Sequence, residues 1–75
     1  MSNIQWTHVH SSRITAEAYD AVKQRIYVRF PDGVEYWYGN CTPEVWADFT
    51  APGQSRGKYI AAHLDERPRG HLNRR

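Results

Sequence analysis

Long hydrophobic runs, cysteine pairs and cofactor fingerprints are what this 75-residue sequence does without. Its longest unbroken apolar stretch is only a few residues, against the ~20 that a membrane-spanning helix needs, so a transmembrane helix is excluded. A single cysteine, Cys41, rules out an internal disulfide, although small secreted domains are normally stapled by several. The opening residues MSNIQWTHVH contain neither the basic stretch nor the apolar core of a signal peptide. Together these absences predict a cytoplasmic protein. As a nucleophile Cys41 is poorly served, because no histidine lies near it in sequence and a helix start follows at once; a packed structural thiol fits better.

Metal and acid–base chemistry are also thinly provided. His8 and His10 lie two apart and would share one face of a strand, but zinc needs three or four ligands and there is no CxxC. Only a tertiary accident would bring His63 to join them. Asp65 and Glu66 are adjacent on an expected helix and so diverge, which does not suit a general acid/base pair. No cofactor is expected and no catalytic residue is assigned, so the sequence reads as that of a binding protein.

What the chain does have is aromatic mass, with three Trp, five Tyr and two Phe. A domain of this size buries only about 60% of its unfolded surface, and aromatics that bury roughly 150–250 Å² each must supply much of the packing. The charge is divided. Residues 1–54 hold four basic and six acidic side chains, whereas residues 55–75 hold six basic and only two acidic. A basic end concentrates anionic partners.

Alternation of apolar and polar residues marks the strands. In residues 12–19, Ile14, Ala16 and Ala18 would share one face and Arg13, Thr15, Glu17 and Tyr19 the other. In residues 24–30, Ile26, Val28 and Phe30 oppose Arg25, Tyr27 and Arg29. Pro31, Asp32 and Gly33 make a turn, and residues 34–39 return with Val34, Tyr36 and Tyr38 on one face. This hairpin is the firmest structural expectation. With the 12–19 strand it gives an antiparallel meander of three strands, or four if residues 6–10 add an edge. Thr42, Pro43 and Glu44 then carry the signature of a helix N-terminus, with Val45, Trp46 and Phe49 on its buried side. Ala51, Pro52 and Gly53 stop that helix. A second helix opens at Gln54 or Ser55, with Tyr59, Ile60, His63 and Leu64 as its apolar stripe. The expected architecture is α+β: the meander followed by two short helices packed on one face. Residues 1–66 form the domain, and residues 67–75 a basic, mobile tail.

This order of elements, with Ser11, Ser12 and Ile14, then Tyr19 and Asp20, then Ile26, Val28 and Phe30, resembles the KTSC family. Gly33 ahead of Tyr36 and Tyr38, Pro43 at the first helix, and Ser55, Gly57, Tyr59 and Ile60 at the second complete the likeness over residues 9–66. The family is named for a short domain at the C-terminus of some lysyl-tRNA synthetases and includes small standalone bacterial and phage proteins. The chain departs from it at Thr42, where valine is usual, and in the longer link of residues 51–55. The resemblance implies the fold and leaves the activity open. If phage-encoded, the chain would work in the host cytoplasm.

Two places offer a binding surface. At residues 53–58 a helix start would present free backbone donors, with Ser55 and Gly57 beside them and Arg56 and Lys58 adding charge, as in an anion seat. It is not a P-loop, since its glycine spacing is one short and Tyr59 stands where Ser or Thr should bind magnesium. Alternatively, Ser55 simply caps the helix, Gly57 permits close packing and the cations are solvated. On the sheet, Arg25, Tyr27 and Arg29 opposite Glu35 and Trp37 could stack on bases or merely pair across the hairpin. The expected function is a non-catalytic module for RNA or another phosphate-bearing ligand through Ser55, Arg56, Gly57, Lys58, Arg25, Arg29 and Trp37. The alternatives are an accessory protein that docks on a host protein, or a homo-oligomer that sequesters a small nucleotide.

Overall fold

The strand pattern of the sequence closes into one antiparallel sheet. The computed structural model describes residues 4–72. Five strands, β1 (Thr7–His8), β2 (Ala16–Asp20), β3 (Arg25–Arg29), β4 (Glu35–Tyr38) and β5 (Arg69–His71), lie side by side in chain order. Between β4 and β5 the chain leaves the sheet to form α1 (Pro43–Phe49) and α2 (Arg56–Tyr59), the latter running on into a π-helical turn over Ile60–Leu64.

Local chemistry sets each junction. The β2–β3 turn is held by Asp20, whose Oδ1 accepts from the backbone N–H groups of Val22 and Lys23, both at 3.0 Å. The β3–β4 turn places Gly33 at φ 89°, a conformation that costs glycine nothing, and the Asp32 carboxylate accepts from the Val34 N–H at 3.0 Å. Thr42 caps α1 through the Val45 N–H, with Pro43 in the first turn where its missing donor is harmless.

The β3–β4 register pairs Ile26 with Tyr38 and Val28 with Tyr36 on the inner face, against the helices. There Ile14, Ile26, Val28, Tyr38, Cys41, Phe49, Tyr59, Ile60 and Leu64 form the core. Tyr19 and Trp46 stack at its margin, 5.3 Å apart. The outer face carries Tyr27 paired with Trp37 and Arg29 paired with Glu35.

Two expectations are corrected. Regular β2 starts at Ala16 rather than residue 12, after a bend at residues 12–15. The bend breaks the parity between Ile14 and the alanines. Ile14 is core, whereas Ala16 and Ala18 pair with Arg29 and Tyr27 on the outer face, and Glu17 and Tyr19 turn inward. The alanines are nonetheless buried, at 0% and 3% exposure. The Trp6 ring packs over this face, 6.4 Å from the Tyr27 ring and 4.5 Å from the Arg29 guanidinium carbon. The second correction concerns residues 67–75. Arg69, Gly70 and His71 are not a tail but the edge strand β5, paired with Tyr38, Trp37 and Tyr36. Gly70 earns its place by size: a Cβ there would come within 2.7 Å of the Trp37 indole nitrogen. The last part of the expected tail, residues 73–75, lies outside the described residues.

Candidate functional site

The start of α2 is capped and ion-paired. Glu17, turned inward and only 4% exposed, receives two hydrogen bonds from Arg56, from Nε and Nη2 at 2.9 Å each. This bidentate bond pushes the Arg56 guanidinium further above its usual range. The same guanidinium lies 5.7 Å from the Phe49 ring centre. Ser55 Oγ is occupied as a cap, accepting from the Lys58 N–H at 3.3 Å. Gly57 backs onto Arg13, whose Cβ would lie 3.2 Å from an added methyl. Of its two cations, Lys58 stays exposed, as do Gly53 and Ser55. The open anion seat expected at residues 53–58 is therefore corrected to a capped and ion-paired turn. The sequence signal misled because Glu17, 39 residues away, had been placed on the opposite face.

The outer face is occupied by its own side chains. Arg29 donates to Glu35 at 2.7 Å while stacking over Trp6. Arg25 stacks over Trp37, 4.2 Å from the ring centre, and Gly70 packs against the same indole. Thus Arg25, Arg29 and Trp37 share the outer face in two separate sets of contacts, Arg25 with Trp37 and Arg29 with Glu35 and Trp6.

The inner face is different. Five strands about 4.8 Å apart make a sheet roughly 19 Å across, whereas α1 has seven residues and α2 with its π-turn only nine, so each helix is about 10–14 Å long. The helices cannot cover the whole face, and they leave a groove of about 760 Å³. Its floor is aromatic. Tyr36 meets Phe30 edge-on at 5.5 Å, stacks on Tyr38 at 6.3 Å and lies 4.4 Å from the His71 ring. Arg13 stands at one side, 5.8 Å from the Phe30 ring centre. Arg69 stands at another, bonded to Asp65 at 3.1 Å with both side chains well exposed. Asp32 lines the rim near the turn. Among the described residues Arg13 is in no ion pair.

Burial pushes the Tyr38 hydroxyl up to about 12, with Arg13, Arg69 and Asp65 close enough to modulate it. It therefore remains a proton donor at any physiological pH. Burial likewise raises the Cys41 thiol, whose Sγ donates to the Tyr38 and Gly39 carbonyls. Cys41 is a core group, remote in character from the electropositive surroundings that activate a thiolate. No three His, Cys, Asp or Glu side chains among the described residues gather where they could hold a metal ion, and His8 and His10 gain no third ligand. No helix among them is long and apolar enough to cross a membrane.

The groove was missed because its residues are scattered. Phe30, Tyr36 and Tyr38 were already legible as one face. The missing signal was that two helices this short cannot cover it, and that residues 69–71 would add Arg69 and His71 to its wall.

An antiparallel sheet carrying two short helices on one face, with an aromatic groove beside them, defines a compact α+β class. Within it the chain belongs to the KTSC domain family, whose model matches residues 10–67. It is 38% identical over 52 residues to a protein of Tsukamurella paurometabola, an alignment covering 69% of this chain and 76% of that one. The crystal structure of a KTSC domain protein from Yersinia pestis superposes with a TM-score of 0.83 at 20% identity, covering 95% of this chain and all of the other. That likeness establishes the shared fold.

Proposed function

We propose that this chain is a small non-catalytic binding module for nucleic acid or another nucleotide-bearing ligand, and that the ligand occupies the groove lined by Arg13, the β3–β4 turn, β4, β5 and Asp65. The observation that carries this reading is the pairing of an uncovered ring cluster, Phe30, Tyr36 and His71, with Arg13, a cation not engaged by any carboxylate among the described residues. Nucleobases stack on aromatic side chains with little regard to sequence, and arginine supplies the phosphate contact. The groove volume lies within the range of small-ligand sites. The basic balance of residues 55–75 adds attraction at longer range.

The test is fluorescence anisotropy of a short labelled single-stranded RNA titrated with the protein at several salt concentrations. Binding should weaken as salt rises and should fall on Arg13→Ala and on Tyr36→Ala. Affinity indifferent to salt and to both substitutions would remove this reading.

A further inference from the structure

The charges around the groove define its ligand more narrowly. Four formally charged side chains line it: Arg13, Arg69, Asp32 and Asp65. Arg69 is already neutralised by Asp65 at 3.1 Å. Asp32 is fixed by its hydrogen bond from the Val34 N–H and holds a negative charge at the turn end of the groove. One cation is left, and it is well supported. The Arg13 stem rests on Gly57 at the start of α2, and its guanidinium is held over Phe30. Surfaces that track a polynucleotide present a run of cations along the strand. Here a strand crossing the groove would meet one cation and then a fixed carboxylate.

Resting on the nucleotide reading above, we infer that the groove is built for a single nucleotide unit carrying one phosphate group, with its base against Tyr36 and His71 and its phosphate at Arg13. Tyr38 also lines the groove, and its hydroxyl is the second polar group assigned to the ligand. The same chemistry is offered by a free nucleoside monophosphate and by the phosphorylated end of a single strand. An internal stretch of the strand, whose neighbouring phosphates must pass Asp32 or Asp65, is disfavoured.

Isothermal titration of the full chain with a nucleoside, its 5′-monophosphate, 5′- and 3′-phosphorylated single-stranded oligonucleotides and a circular oligonucleotide of the same sequence tests this. Chemical-shift perturbation at Tyr36 and His71 identifies the site. The monophosphate should bind at least about tenfold tighter than the nucleoside, and Arg13→Ala should abolish that difference while leaving nucleoside binding intact. The salt slope should be about one phosphate's worth. Tight binding of the free monophosphate alone assigns a soluble nucleotide, and equal or tighter binding of one phosphorylated strand assigns a strand end. A circular oligonucleotide that binds as well at Tyr36, with a slope of several phosphates, overturns the single-unit inference while the nucleic-acid reading stands. If none of the five probes shifts Tyr36 or His71, both fail.

Discussion

Two cation-bearing regions of this fold meet opposite fates. At the start of α2, Arg56 is clamped on the inward-facing carboxylate of Glu17 and belongs to the scaffold. Beside the groove, Arg13 is supported by Gly57 and Phe30 without an acidic partner among the described residues. The lesson is that a cation's availability depends on which carboxylate the sheet parity delivers to it. Both sites lie on the same face and touch the same short helix. One stabilises and the other remains available.

The sharpest way to break the comparison is to remove Arg56. Arg56→Ala strands the buried Glu17 carboxylate, and breaking a buried pair by deleting one partner costs roughly 3–5 kcal/mol; with Arg56 one-fifth exposed, about 3 kcal/mol is expected in urea unfolding. Groove binding by the folded fraction should be unchanged. Alkaline pH probes the buried end of the groove. Because Tyr38 ionises at about 12 in the folded chain rather than near 10, its contribution is complete below pH 10 and is lost as pH rises from 10 to 12. That amounts to about 3 kcal/mol, and Tyr38→Phe should lessen the slope of the unfolding profile over that window.

Much of the fold was legible beforehand, and for physical reasons. The β3–β4 hairpin could be read because strict alternation and the residues 31–33 turn agree. The N-terminus of α1 could be read because Thr42 and Pro43 act locally. Local signals failed where long-range contacts decided the outcome. Alanine at 16 and 18 suits either face, so the bend before β2 reversed the assignment of Glu17. Arg69, Gly70 and His71 have little strand preference of their own, and β5 is placed by its pairing with β4, where Gly70 fits against Trp37. The groove needed both pieces. Of the residues proposed for it, only the aromatic face was visible in the sequence.

Smaller effects sharpen the contrast. Tyr36→Ala should weaken nucleotide binding by about tenfold, in line with about 1–3 kcal/mol per stacked base. The unfolding midpoint gives the necessary control for lost packing. Lys58→Ala, which removes the one exposed cation of the capped turn, should change that affinity by less than about twofold, because a rim charge contributes chiefly to encounter rate.

The edge strand has one more consequence. With side chains alternating along it, β5 sends Arg69 and His71 to the inner side while Gly70 touches the indole on the outer side. Any tug on the strand from a seated guest therefore reaches Trp37 directly through three residues of backbone. The molecule carries its own optical gauge, and Trp37 emission, isolated by replacing Trp6 and Trp46 with phenylalanine, would register occupancy from the far side of the sheet.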